Sequence, residues 1–457
     1  MNRSIIIYVF ALAVLGTDLG LAQETSERPK PLGAKAAQTL TLEDCIRLAK
    51  MRNLELKGRE LSIDRARVQL QSRRSEFLPS VGANAGQGFS FGRSQDKTGV
   101  YVDRSSASTS VSVSASLSLF SGFQRLHDLK AAQLDMAGAT AELQKAREDL
   151  ALQVTQLYYS WLFAREVSRS TAEQCKRTRQ VRDYTKELVT SGRWSRDKLS
   201  EAEAQLATEE LRHLEALNAL ELTKLDLMQA IESPNNVEIQ EIDIDQESKG
   251  LEQAIASAEQ IYETALEIRP ELQMAKYAIG SAQHGIQSAR SGYYPALSLS
   301  AGYSNSYYYQ YGAFARFNPT FADQWEQNGR SYVSLNLNIP IFDAFRTRSR
   351  IRMAKINYTE RTLQLEQTKK KLHKEIAQAR ANVLASQRKI SASQASVVAS
   401  SEALELIEAK LMAGKATMNE FSEAKTRHLL AEIEALKARY DFALRRRVLE
   451  LYISPNE

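Results

Sequence analysis

The sequence predicts a mostly α-helical fold with a β-barrel part: a duplicated long-helix coiled coil carrying four transmembrane β-strands per chain. Three observations carry this expectation. The chain is written twice, two short stretches of each half alternate wet and greasy residues, and the remaining helices hold a 3-4 apolar spacing over long distances. With only 9 prolines and 20 glycines in 457 residues, little interrupts those helices.

The duplication is legible residue by residue. Residues 45–86 match 261–302 without a gap at an offset of 216, pairing Ala49 with Ala265, Leu56 with Leu272, Ser72 with Ser288 and Pro79 with Pro295. From residue 119 the match resumes at an offset of 222, pairing Phe120 with Phe342, Phe123 with Phe345, Leu143 with Leu365 and Gly192 with Gly414.

Ahead of the first copy, Arg3, the apolar Ile5 to Leu15 and Gly20-Leu21-Ala22 read as an export signal over 1–22, and residues 23–40 as an extended tail. Cys45 and Cys175 are the two cysteines, and the predicted shape sets them too far apart to pair. The first repeat, 41–231, is expected to hold a helix 41–77, strands 80–92 and 106–120, a long helix 122–190, a tip at Gly192 and a helix 196–231. A mid-body connector covers 232–256. The second repeat, 257–453, is expected to hold helices over 257–292, strands 296–311 and 330–342, a long helix 344–412, a tip at Gly414 and a helix 417–453.

The strands follow from a period of two. Odd positions from Ala107 to Leu119 are apolar or Thr, while Ser108, Ser110, Ser112, Ser114, Ser116 and Ser118 fill every even one. Such a strand has one face for lipid and one for water, and aromatics such as Phe77, Tyr293, Tyr294 and Phe342 collect at the strand ends. The helices follow from seams such as Leu129, Ala132, Met136, Ala139, Leu143, Ala146 and Leu150, and in the second half Phe421, Ala424, His428, Ala431, Ala435, Ala438 and Phe442. Residues 125–188 make a rod of roughly 95 Å at the α-helical rise.

Composition narrows the function classes. The net charge of +5, from 60 basic and 55 acidic residues without a basic cluster interleaved with aromatics, excludes nucleic acid as a partner. No run after residue 22 approaches the 18 to 20 apolar residues of a membrane helix, which leaves a β-barrel open. His127, His213, His284, His373 and His428 are scattered without metal spacing, no nucleophile or phosphate motif is present, and no enzyme activity, metal or cofactor is expected. Met412 and Met418 bracket the second tip and are read as packing residues. Four strands cannot close a barrel, and open edges cannot sit in lipid, so the chain must oligomerise; three copies supply twelve strands.

In its duplicated halves, its Phe77-Leu78-Pro79 and Tyr293-Tyr294-Pro295 strand entries, its Leu119-Phe120-Ser121-Gly122 and Ile339-Pro340-Ile341-Phe342-Asp343 exits and its Gly192 and Gly414 tips, the chain resembles the TolC-like outer-membrane efflux family of Gram-negative bacteria. The resemblance covers nearly the whole mature chain. It implies a homotrimer in outer-membrane lipid, a 12-stranded barrel continued by a periplasmic helical tunnel, and a periplasmic end opened by an adaptor and an inner-membrane pump. It implies efflux or type I secretion as the task. The other reading is a soluble periplasmic coiled-coil adaptor or scaffold without a barrel.

The resemblance also points to a gate. Acidic residues six and nine positions after the second tip glycine line the family's aperture, and Glu420 and Glu423 stand there, with Lys198 and Glu201 at the matching places of the first repeat. Two positions depart from the family: Lys198 replaces an acid and Ala416 an arginine, which motivates a charge-swapped lock of Lys198 with Glu420 or Glu423. Adaptor docking is expected at Ser191, Gly192, Arg193, Ala413, Gly414 and Lys415, and the six serines of the second strand are expected to line the lumen.

Overall fold

The computed structural model describes residues 39–95, 98–103, 105–233, 237–241 and 256–453. The export segment, nearly all of the tail and most of the connector lie outside the described residues.

The folded body begins with α1 (Leu42–Arg52), started by a capping box in which Thr41 and Asp44 satisfy each other's orphan amides. The helix expected over 41–77 is in fact two. Asn53 leaves the helical region and its side chain accepts from the amides of Glu55 and Leu56, so that one residue ends α1 and caps α2 (Leu54–Ser75). The second repeat breaks at the same place by other means: α5 (Ala258–Ile268) stops at Arg269, and Pro270 opens α6 (Pro270–Arg290), where its missing N–H costs nothing.

Between these helices and the long ones lies a sheet of β1 (Ser80–Ser90), β4 (Ser106–Ser121), β5 (Ala296–Gln310) and β6 (Arg330–Asn338), antiparallel in that order. A small hairpin of β2 (Arg93–Gln95) and β3 (Tyr101–Asp103) extends the first loop. The second loop holds a 3₁₀ turn, Gly312–Phe317, and α7 (Phe321–Gln327), neither of which the sequence pattern announced. The last strand was expected to reach 342 but ends at Asn338, because Pro340 has no amide to give a ladder.

The long helices α3 (Gln124–Thr190) and α8 (Arg346–Met412) have 67 residues each, roughly 100 Å of rod. They return as α4 (Arg196–Ala230) and α9 (Met418–Ile453). Each sheet-to-helix junction holds two consecutive left-handed residues, Gly122 and Phe123 with φ 60° and 67°, and Ala344 and Phe345 with φ 53° and 62°. A Cβ on Gly122 would stand 2.7 Å from the Ser291 carbonyl oxygen, so glycine is needed there for space as well as for φ.

The duplication reappears as duplicated cores. Cys45, Ala49 and Leu56 pack with Leu150, Val154, Tyr158 and Trp161 in the first. Their counterparts Ile261, Ala265 and Leu272 pack with Leu372, Ile376 and Val383 in the second. The first core is closed by a parallel bridge from Leu40 to Ile239 and by the Tyr158 hydroxyl donating to the Gln240 carbonyl at 2.5 Å. Cys45 and Cys175 are both buried free thiols, and burial pushes the Cys45 thiol up to about 12.

Candidate channel wall, tip and gate

The register of the sheet sorts its side chains. Val81 pairs with Ala115, Ala115 with Ala301 and Ala301 with Val333, while Leu117 meets Leu299 and Leu299 meets Leu335. The other face pairs Ser80, Ser116, Ser300 and Ser334 in one row and Asn84, Ser112 and Ser304 in another. All six expected serines, Ser108 to Ser118, thus lie on one polar face shared by four strands, opposite a face that is apolar toward the helices and interrupted farther out by Gln87, Thr109 and Asn305. A bulge at Leu119 then moves Phe120 onto the apolar face opposite Leu297, where it meets Phe123 edge-on at 5.1 Å. Phe342 and Phe345 repeat that pair at 5.5 Å.

β1 and β6 are edges, each paired on one side only, and the hydrophobics Val81, Phe89, Val333, Leu335 and Leu337 on them are exposed. The helices below copy this order. α2 packs on α3, α3 on α6 and α6 on α8, so α2 and α8 are edges too. Leu54, Leu61 and Val68 stand exposed at seven-residue intervals along α2, and Met353, Ile356 and Leu363 stand exposed on α8.

At the far end both tips turn on a glycine, Gly192 with φ 75° and Gly414 with φ 70°. Arg193 N–H closes back on Leu188 O at 2.9 Å and Lys415 N–H on Lys410 O at 2.8 Å. No atom crowds either α-carbon, so conformation alone demands glycine there. Ser191, Arg193, Ala413 and Lys415 are exposed around these turns. Ala416, where the resemblance led to an arginine, is buried with Ala202, Leu411, Met418 and Phe421 in an apolar tip cluster. Met418 is therefore a packing residue, while Met412 is exposed.

The four residues expected at the gate stand in matched positions of the two repeats, and Lys198 and Glu420 are each held by a residue of their own tip. Lys198 lies 4.4 Å from the Trp194 ring centre, and Trp194 meets Tyr184 edge-on at 6.5 Å. Glu420 accepts from the Thr417 amide at 2.7 Å and the Thr417 hydroxyl at 3.0 Å, while its own amide donates back to that hydroxyl at 3.2 Å. Those two donors hold the Glu420 carboxyl below the usual glutamate range. Glu423 pairs with Arg427 at 2.9 Å on an exposed face, and Glu201 is exposed. Among the described residues of one chain no ion pair joins Lys198 to Glu420 or Glu423, so a charge-swapped lock would have to form between chains.

The sequence reading missed a buried polar network that ties the two coils together above the tips. Lys425 of α9, 3% exposed, faces Glu209 of α4, 2% exposed, at 3.4 Å and donates to the Thr178 hydroxyl of α3. Glu209 also accepts from Gln205 at 2.9 Å and Arg212 at 3.3 Å, and Ser422 donates to Gln205 at 2.7 Å. Burial pushes the Lys425 ammonium down, and Glu209 counters it. A seam reading held the clue: Glu209 falls at 3-4 spacing between Ala202, Leu206 and Ala216, where an apolar residue belongs. Higher up, a cleft of about 570 Å³ at the mid-body holds Arg269, 3.0 Å from Glu148 and 3.1 Å from Glu271. Burial raises the Glu148 carboxyl.

An amphipathic four-stranded sheet set on two paired coils of 67-residue helices is the build of a membrane duct wall. The family comparison agrees. The model described as "Outer membrane efflux protein" matches residues 45–232 and 261–453, one match per repeat, and the chain belongs to that family. It is 22% identical over 415 residues to the outer membrane protein TolC of Escherichia coli (strain K12), covering 89% of this chain and 81% of that one. It is 23% identical over 337 residues to the probable outer membrane lipoprotein SilC of Salmonella typhimurium, covering 71% of this chain and 66% of that one. In fold it is similar to crystal structures of CusC (TM-score 0.77, 18% identity, 93% of this chain and 96% of that chain). It is likewise similar to the outer membrane protein VceC of Vibrio cholerae (TM-score 0.72, 16% identity, 90% and 95%). The protein is an outer-membrane efflux channel with its helical tunnel in the periplasm, and it is not an enzyme. The soluble adaptor reading falls with that assignment.

Proposed function

We propose that three copies of this chain form the exit duct of a tripartite efflux or type I secretion system. The observation that carries the reading is the coincidence of edges: β1 and β6 end the sheet just as α2 and α8 end the helical wall. Pairing β6 of one copy with β1 of the next removes every lipid-exposed edge, and three copies give twelve strands. The serine face then lines the lumen and the Val, Leu and Ala face meets lipid. The exposed α2 and α8 stripes are covered in the same step.

At the periplasmic end, Glu420, Glu423 and Glu201 together with Lys198 border the aperture. Three copies of Glu420 and Glu423 put six carboxylates around it, favouring cations. The tip turns at Gly192 and Gly414, with Ser191, Arg193, Ala413 and Lys415, form the docking surface for a periplasmic adaptor coupled to an inner-membrane pump. The primary test is the detergent-corrected mass of the protein extracted from the outer membrane. Three chains are expected; a monomer or dimer would remove the closed duct. Cysteines placed at Ser191 and Lys415 are expected to crosslink to a co-expressed adaptor, and the absence of any crosslink from either tip would remove the docking surface.

A further inference from the structure

The first eleven residues of α8, Arg346 to Ile356, carry Arg346, Arg348, Arg350, Arg352 and Lys355 and no acid. This is the wrong sign for a helix start, whose dipole presents positive charge. All five side chains are exposed, and none makes an ion pair among the described residues; Arg346 alone bonds nearby, donating to the Asp343 carbonyl at 3.1 Å. The matched helix α3 has no such run. Its Arg125 is consumed by the carbonyls of Glu76 and Ser118.

Helical geometry divides the five. Arg346 and Arg350 line a cavity with Asn338 and Ala296, residues of the sheet's polar face. At 100° per residue, Arg348 and Lys355 lie about half a turn round the helix from them, on the side of the apolar sheet face, with Arg352 alongside. Arg290, the last residue of α6, is exposed, stands outside that cavity's lining about half a turn from Ser288, and donates to Gln287 at 3.4 Å. All four lie within about 15 Å of the sheet's end along helices rising about 1.5 Å per residue. Above them project Ile341, Phe342 and Phe345, 94%, 74% and 62% exposed.

Among the described residues the nearby acids are held elsewhere: Asp343, beside Arg346 on the cavity side, accepts from the Thr347 amide at 2.8 Å. The last ten residues of α6 contain no acid. Asp128 is engaged by Ser288 at 2.6 Å and Glu76 by Arg73 at 2.8 Å. If β6 meets β1 of the next copy, the arriving helix is α2, whose upper end adds Arg74, its Arg67 and Arg73 being paired with Asp64 and Glu76.

We infer that Arg348, Arg352, Lys355 and Arg290 form an outward basic collar that binds the headgroup phosphates of glycerophospholipids in the periplasmic leaflet of the outer membrane. The collar rests on the duct reading for its orientation. An aromatic and aliphatic rim entering the acyl region with arginines directly beneath is the arrangement that holds a wall at a fixed depth. Arginine forks match phosphate oxygens two at a time.

The test is native mass spectrometry of the delipidated full-length protein titrated with phosphatidylglycerol or phosphatidylcholine. The triple variant Arg348→Gln/Arg352→Gln/Lys355→Gln is expected to weaken phosphatidylglycerol binding at least tenfold, given about five-fold per basic side chain near an anionic surface. Binding is expected to return in Arg348→Lys/Arg352→Lys, while Arg346→Gln/Arg350→Gln retains lipid as the parent does. Unchanged lipid retention in the triple variant, loss confined to the Arg346/Arg350 variant, or equal displacement by free inorganic phosphate would each overturn the collar. The same spectra report how many chains assemble, so failure of the trimer is read separately from failure of lipid binding.

Discussion

The helices α3 and α8 occupy matched positions of the two repeats and have the same length, yet they are packed differently. α3 buries Leu143, Leu150, Val154, Tyr158, Tyr159, Trp161 and Leu162, with α2, α4, α6 and α9 around it. α8 buries Leu372, Ile376 and Val383, then small residues at seven-residue intervals, Ser386, Ser393 and Ser400, whose hydroxyls return to the carbonyls three residues back, and no further large side chain until Leu411 at the tip. The same ancestral rod became an interior element in one copy and an edge in the other. An edge that still presents Met353, Ile356 and Leu363 to solvent is an unfinished interface, and the difference between the helices locates where a second chain must come.

The largest test of that contrast is a pair of matched substitutions. Leu134 reaches the Gly280 backbone of α6 so closely that a Cβ there would sit 2.9 Å from its Cδ1, whereas its counterpart Ile356 is 46% exposed. Leu134→Asp, an unpaired charge forced into a helix contact, is expected to cost about 3 kcal/mol or more and to lower the helical circular-dichroism melting temperature sharply. Ile356→Asp is expected to keep the chain folded but abolish the three-chain mass. Equal melting of both variants would erase the distinction between interior and edge.

Next in size is the buried pair between the coils. Lys425→Met leaves Glu209 with Arg212 but without its buried cation and is expected to destabilise by about 3 kcal/mol, whereas adding Glu209→Met is expected to recover most of it. Chemical denaturation of the four proteins of this cycle measures the coupling, and additive losses would show that the two charges do not act as a pair.

A smaller effect concerns the second tip. Because the folded Glu420 pKa lies below its ordinary 4.5, its contribution is fully present above that value and is lost as pH falls through the lowered folded pKa. The protection factor for amide exchange in the first turn of α9, taken relative to the intrinsic rate at each pH, is therefore expected to fall on acidification, and Thr417→Ala to remove that fall. Smallest of all, Lys198→Glu sets a carboxylate against the Trp194 ring face and is expected to raise the conductance of the closed channel. Unchanged conductance would end the proposed role of Lys198 in the lock.

Much of this molecule could be read from one chain. Period-two alternation around Ser108 to Ser118 announced the strand and its two faces, and the glycines at 192 and 414 announced the tips, because in each case a local backbone requirement selects the residue. The break at Asn53 was invisible beside its proline-marked twin at 270, since an asparagine cap satisfies amides without interrupting the composition. The Lys425 and Glu209 pair was hidden because its members lie more than 200 residues apart in sequence. The basic run from Arg346 to Lys355 lacks interleaved aromatics and reads as ordinary wet helix surface until the sheet above it is placed.

By itself, then, the sequence determined the duplication, written as a direct match of one half to the other, and the periodicities and kind of element of each segment, which are set by neighbours three or four positions away, or two. Tertiary structure decided which copy of a repeated helix is buried, which strands are edges and which charges are spent within the chain. Those depend on contacts between segments remote in sequence, and a repeat that looks symmetrical along the chain loses that symmetry once one copy has neighbours on both sides and the other on only one.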